Sequence, residues 1–202
     1  MLNYQPTAWL RNGLRMTEQL DRRQALVHAA FSAIAEHGFE GFRLRPIAAA
    51  AGIDHSTLHH YFRTKADLIA AVLEHVTSQF EATMHNDLEP AARLRQHLNE
   101  IATAVVVRPE LFVVLDELDL RARRDKSTEV DIDHDEQGWR DALAAIFNEG
   151  IEQHVWSMNL NVAASVELVI ATVKGIRLRP DKAESVVNQL CDLFSPERLT
   201  HA

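Results

Sequence analysis

The sequence predicts an all-α fold: an N-terminal three-helix domain built around a helix-turn-helix, then a larger C-terminal helical domain, about nine helices in total. Three observations predict it. Only 7 Gly and 6 Pro stand in 202 residues, too few for the many turns of a β fold. Apolar residues recur at three- and four-residue spacing along most of the chain. No stretch alternates apolar with polar residues as a half-buried strand does.

Taken in order, residues 1–20 show no clear period and are expected to form a flexible arm. Met16 is expected to be the natural start, and the other reading is an ordered arm carrying Arg11 and Arg15. From Asp21 to His37, Val27, Ala30, Phe31 and Ile34 make the stripe of an amphipathic helix. Asp21 is placed to cap it, and Gly38 to end it in a left-handed conformation. A short second helix is expected from Arg45 to Ala51, where Pro46 falls in the first turn and costs no intrahelical bond. Gly52 breaks the chain, and Asp54 is placed to cap a third helix, His55 to Phe62. A long fourth helix follows from Lys65 to about His85, with Leu68, Val72, Val76 and Phe80 on one face. Beyond Glu89-Pro90 further helices are expected at 91–107, 109–124, 134–154, 160–178 and 181–194, with the polar run Arg121 to Asp135 read as a loop. The expected domains are therefore the arm 1–20, a head 21–65 and a body 66–202.

The composition excludes several classes. No apolar run approaches the roughly 20 residues of a membrane span, and Met1–Trp9 lacks the basic start and apolar core of a signal peptide. Cys191 is the sole cysteine and cannot form an internal disulfide. A cytoplasmic protein with no membrane partner is expected. No glycine-rich phosphate loop, nucleophile–base pair or metal-ligand motif is present, so neither an enzyme nor a bound cofactor is expected. The formal net charge is -8, yet Met1 to Lys65 carries eight Lys/Arg against five Asp/Glu, while the remainder carries 13 against 24. A mildly basic head on an acidic body is the distribution expected where only the head meets phosphate.

The informative segment is Gly41 to Leu68, GFRLRPIAAAAGIDHSTLHHYFRTKADL. Two short helices joined by a glycine-bearing turn are the minimum of a helix-turn-helix. Ala48 and Ala51 are small enough for a close crossing, and Gly52 supplies the positive φ of the turn. Ile47, Ile53, Leu58 and Phe62 are expected to pack inward, which leaves His55, Ser56, Thr57, His59 and His60 outside, as suits contacts to base edges and phosphates. Without the motif the segment would read as a plain helical subdomain. His55 and His59 also have the spacing of a shared metal ligand, but no supporting ligand stands near in the sequence, and no metal is expected.

This segment resembles the signature of the TetR family, in the residues Ile47-Ala48, Ala51-Gly52-Ile53, Thr57-Leu58-His59, Tyr61-Phe62, Lys65 and Leu68, with similarity over roughly 21–75. The resemblance implies an all-α homodimer that binds a double-stranded, palindromic operator, usually as a repressor, and is released by a small-molecule effector. It implies that Thr57 contacts DNA, that His59 stands where the family has a phosphate-touching tyrosine, and that His60 reaches a base or phosphate. Lys65 would pair with a phosphate at the start of the long helix, whose dipole favours an anion there. Two residues depart from the pattern. His59 is shorter than tyrosine, and Arg43 replaces a capping Thr or Ser; Arg43 and Arg45 can hold a phosphate but not cap the helix.

In the body, Arg108-Pro109-Glu110-Leu111-Phe112 and Gly150-Ile151 loosely resemble the regulatory half of choline-responsive relatives, which is not enough to assign choline. Two apolar stripes, Val166, Val169, Ile170 and Val173, and Val186, Val187, Leu190 and Phe194, are expected to form the dimer interface, the family's last two helices making a four-helix bundle with their symmetry mates. The alternative is that both stripes face their own core. A ligand site between the long helices is expected to use Phe80, Leu111, Phe112, Leu115, Trp139, Leu143 and Phe147. Asp116, Glu117 and Asp119 could meet a cationic ligand, and Trp139 with Trp156 could cage one. The expected mechanism places two recognition helices about 34–36 Å apart in successive major grooves, with ligand binding shifting the fourth helix. The rivals are a constitutive DNA binder whose body only dimerises, and an interaction module that no longer binds DNA.

Overall fold

The computed structural model describes residues 8–81 and 87–195, the backbone alone for 8–18 and 81. Among these residues there are nine α-helices, one 3-10 turn and no strand, so the predicted fold class stands. The chain divides between Val72 and Leu73 into two compact units, seven residues beyond the boundary expected at 65/66.

In the first unit, α1 (Ala8–Gly41), α2 (Leu44–Ala50) and α3 (His55–Tyr61) are followed by the first half of α4 (Lys65–Glu81). The helix begins well before Asp21, so Asp21 is an interior residue and not a cap, and the expected arm is helical from Ala8 onward. Residues 1–7 lie outside the described residues. Gly38 does interrupt α1: its φ of 60 and ψ of -164 fall in a region open essentially to glycine alone. Leu26, Ala30 and Ile34 of α1, Ile47 and Ala48 of α2, Leu58 of α3 and Leu68 of α4 are buried, as are Phe42 and Phe62. Ile53, expected inside, is only half-buried.

Local chemistry explains the turns. Gly52 N–H bonds to Ala49 O and Ile53 N–H to Ala48 O, both 3.0 Å, which is the Schellman pair that closes α2 with Gly52 at φ 70. Asp54 makes no side-chain cap bond, contrary to expectation. The start of α4 is held by a reciprocal pair that the sequence reading passed over: Thr64 N–H donates to Asp67 Oδ2 at 2.9 Å and Asp67 N–H to Thr64 Oγ1 at 3.1 Å, a capping box with Asp in the acidic place.

The second unit contains the rest of α4, then α5 (Pro90–Val107), α6 (Pro109–Ala122), α7 (Lys126–Glu152), α8 (Val162–Arg177), the 3-10 turn Pro180–Lys182 and α9 (Ala183–Leu193). Helix α5 packs on α6, α7, α8 and α9, and Leu98, Leu111, Leu118, Leu143 and Phe147 are fully buried. The loop expected over 121–135 shrinks to a few residues. Asp125 caps α7 by accepting from Ser127 N–H at 3.2 Å, and Arg121 and Thr128 hold its other oxygen, so the polar run begins a helix.

The expected dimer stripes are corrected. Val166, Val169, Ile170, Val173, Val187, Leu190 and Phe194 are at most 7 % exposed within their own chain; they are core. Of the eight, Val186 alone reaches the surface, at 37 %. Cys191 is buried, and burial pushes its thiol pKa up, which suits a packing role.

Candidate nucleic-acid interface and effector cavity

The first unit presents α3 with its apolar side inward through Leu58 and its polar side outward. Ser56, His59 and His60 are exposed, while His55 and Thr57 are half-buried. The rings of His55 and His59 meet edge to face, centroids 5.4 Å apart, as i and i+4 residues on one helix face do. Among the described residues no group of three or more ligand-type side chains could hold a metal ion.

Arg43 and Arg45 are exposed beside α2. Arg43 takes the N-cap place with extended backbone and no cap bond from its side chain, as the replacement of Thr or Ser by arginine dictates. Lys65 is exposed at the first position of α4, where its Nζ donates to Phe42 O at 3.2 Å and lies 4.8 Å from the Phe42 ring centroid. The ammonium is thus held against the end of α1 at the positive end of α4, where an anion is favoured. Two further cations were not singled out from the sequence. Arg22 reaches from α1 to Gly52 O at 3.4 Å, and Arg23 lies over the Phe62 ring at 4.8 Å. Their only sequence signal is the basic excess of the head. The first unit thus combines exposed polar side chains on α3 with the cations Arg22, Arg23 and Lys65 held by contacts within the unit and the exposed Arg43 and Arg45, the residue types by which phosphate contacts position a helix and side chains read bases.

The second unit holds a partly open cavity of about 430 Å³. Of the residues expected there, Phe80, Phe112, Leu115 and Trp139 line it, joined by Leu73, Thr77, His97, Ile101, Leu118 and Val173. Leu111, Leu143 and Phe147 do not; they are 1 % exposed or less and belong to the core. Trp156 is also elsewhere, donating to Phe194 O at 2.8 Å with its ring tilted against Phe147, centroids 5.0 Å apart, so no Trp139–Trp156 cage exists. The Phe80 and Phe112 rings lie 5.4 Å apart.

His97 sits in the cavity wall at 1 % exposure. Burial lowers its pKa to about 4, against a smaller upward pull from Glu100, so the imidazole is neutral. Trp139 Nε1–H donates to His97 Nε2 at 3.1 Å, which places the imidazole proton on Nδ1. The wall also carries charged residues. Arg177 bonds to Asp119 at 3.0 Å and to Asp116 at 3.5 Å; Lys174 meets Asp119 at 3.8 Å and also Glu136; Arg140 meets Glu136 at 3.0 Å and Glu167 at 2.6 Å. Desolvation raises the Asp116 pKa, with Arg177 opposing it. The network ties α6, α7 and α8 together along one side of the cavity.

Residues 26–72 match the model of the bacterial regulatory proteins of the tetR family. Along most of its length the chain is similar to the "Fatty acid metabolism regulator protein" of Bacillus subtilis, 22% identical over 165 residues, which cover 78% of this chain and 82% of the relative. It is 32% identical over 110 residues to the "HTH-type transcriptional repressor NicS" of Pseudomonas putida, covering 52% of this chain and 51% of that one. Among solved structures it resembles a TetR transcription regulator from Haloarcula marismortui, with TM-score 0.77 at 23% identity over 87% of this chain and 96% of the other. The fatty-acid regulator FadR from Bacillus subtilis, solved with stearoyl-CoA, has TM-score 0.68 at 20% identity, covering 85% and 97%. The signature residues thus lie on a helix-turn-helix head within a segment that matches the tetR-family model, and the chain as a whole has the fold of solved TetR-type regulators.

Proposed function

We propose that the protein is a homodimeric repressor whose heads bind a palindromic operator and release it when a small molecule fills the body's cavity. The observation that carries this reading is helix α4. It begins at Lys65 in the head and supplies Leu73, Thr77 and Phe80 to the cavity wall, so one element carries both a phosphate-binding residue and a ligand-contacting face. A ligand that favours one setting of α4 changes the population in which the head fits DNA. On DNA, Thr57, His55, Ser56, His59 and His60 face the groove while Arg43, Arg45 and Lys65 hold phosphates. The reading assigns the protein to the cytoplasm, where its operator is, and gives it no catalytic step and no cofactor. Among the described residues no helix is long and apolar enough to cross a membrane.

The dimer surface we assign differs from the buried stripes. Leu168, Ala171 and Gly175 of α8 and Leu178 at its C-cap recur at three- and four-residue spacing on its exposed side, with Leu168 46 % and Leu178 73 % exposed. Val186 and Leu193 form the corresponding outer edge of α9. Two such faces from two copies make a self-complementary four-helix contact.

Selection tests the proposal. The purified protein is incubated with sheared genomic DNA of its source organism, and the retained fragments are sequenced. An inverted repeat with half-site centres one helical turn, about 10 bp, or a multiple of it apart is expected. Enrichment of single, unpaired half-sites would remove the dimer; no enrichment would remove the repressor.

A further inference from the structure

We propose that the effector carries one positive charge on an apolar body: a lipophilic amine or quaternary ammonium whose cationic end lies at Asp119, Asp135 and Glu136. The inference rests on the cavity being the effector site and adds the class of molecule that fits it.

The apolar part follows from the wall formed by Leu73, Phe80, Ile101, Phe112, Leu115 and Trp139. At about 430 Å³ the cavity lies at the small end of the range for ligand sites. The charged part follows from which groups still have bonding capacity. The wall holds three carboxylates, Asp119, Asp135 and Glu136, two cations, Lys174 and Arg177, and the imidazoles of His97 and His134. Both cations are already committed. Lys174 serves Asp119 and Glu136, and Arg177 serves Asp116 and Asp119 while only 6 % of its side chain is exposed. The Nε of Arg177 has no hydrogen-bond partner, but it is fully buried and a ligand cannot reach it.

An anionic ligand head would therefore have to break existing pairs, and it would leave Asp119 or Glu136 facing both the ligand and each other. A carboxylate behaves differently. Its two oxygens offer about four acceptor sites, so Asp119 and Glu136 can take a further donor or a nearby cation without losing Lys174. Counting the residues behind the wall, four carboxylates (Asp116, Asp119, Glu136 and Glu167) meet three cations (Lys174, Arg177 and Arg140), so the paired network keeps one negative charge in excess. Neutral His97 adds nothing to the positive side. The Trp139, Phe80 and Phe112 rings that line the same cavity offer faces on which a cation is favoured. Because one relative is named a fatty acid metabolism regulator and one solved neighbour holds stearoyl-CoA, acyl ligands are the competing chemistry, and the experiment compares them directly.

Four probes with the same ten-carbon chain are titrated into the full-length protein below their micellar concentrations: decyltrimethylammonium, decanoate, 1-decanol and decanoyl-CoA. Calorimetry and Trp fluorescence are read for the wild type, Glu136→Gln, Asp135→Asn and the cavity-filling Ala142→Phe. Circular dichroism checks that each variant folds. The expected result is that the ammonium binds at least tenfold tighter than decanoate and decanol. It should lose several-fold in Glu136→Gln or Asp135→Asn and all measurable binding in Ala142→Phe. Tighter binding of decanoate or decanoyl-CoA, blocked by Ala142→Phe, would overturn the cationic assignment while keeping the cavity as the effector site. Equal binding of ammonium and decanol would also overturn it. No binding by any probe, or binding indifferent to Ala142→Phe, would overturn both the assignment and the effector site.

Discussion

His97 shows most clearly how a single residue couples burial to chemistry. Unfolded, it takes up a proton near pH 6.5; folded, desolvation lowers that to about 4. Between these values the unfolded chain binds more protons than the folded one, so stability falls as the pH drops from about 6.5 toward 4, by up to about 3 kcal/mol in all. Thermal melts at pH 7.5 and 4.5 should separate more for the wild type than for His97→Gln; equal separations would show that His97 is not the group responsible. His154 gives a second test. It stands at φ 58 after α7, where Val155 N–H bonds to Gly150 O and His154 N–H to Ile151 O, the Schellman place that glycine fills most cheaply. His154→Gly should stabilise the protein by up to about 1 kcal/mol in urea melts. Gly150 is the opposite case, because a Cβ there would run into the Trp156 ring. Gly150→Ala should cost about 1–3 kcal/mol and shift the Trp fluorescence; an unchanged melt would contradict the packing described around Phe147, Trp156 and Phe194.

At the scale of elements, periodicity located most helices, and it failed where another force set the boundary. The start of α7 was read as a loop because its first turns are polar; only the Asp125–Ser127 cap and the Arg121 contact reveal it as a helix. The α4 start was found at Lys65, but its Thr64–Asp67 pair was missed among stronger motif residues. The α8 and α9 stripes were seen correctly as apolar faces and assigned to the wrong neighbour. A period tells which residues share a face, not what covers that face, and Val169 and Val187 turned out to be covered by their own chain. The cavity was half legible for the same reason, since Phe112 and Phe147 look alike in sequence and only packing separates wall from core. The placement of the motif residues on α3 and at the start of α4 was more legible, because a motif fixes type and position together. The surface now assigned to the dimer makes its own prediction. Leu168→Glu should convert the dimer to monomer at micromolar concentration by sedimentation, with helix content kept. Unchanged dimerisation would move the interface elsewhere.

At the scale of the whole molecule, the chain combines a basic-leaning head with an acidic body. The basic excess of the head suits an approach to phosphate. The same asymmetry runs into the cavity, where carboxylates outnumber cations, and α4 is the element shared by the two units. Coupling between the two sites would be reciprocal: a ligand that loosens DNA binding must itself be bound less tightly by the DNA-bound protein, by the same factor. All of this depends on the head being a DNA reader. The most direct measurement is fluorescence anisotropy of a labelled duplex carrying the intergenic region upstream of the protein's own gene, titrated at several salt concentrations. Wild type, Lys65→Ala and Arg45→Ala are compared on that duplex and on a random one. The account predicts binding tighter than to the random duplex, a log affinity that falls linearly with log salt, and weaker binding by each variant with a slope reduced by about one. Wild-type binding no tighter than to random DNA, or variants that bind as the wild type does at every salt concentration, would contradict it.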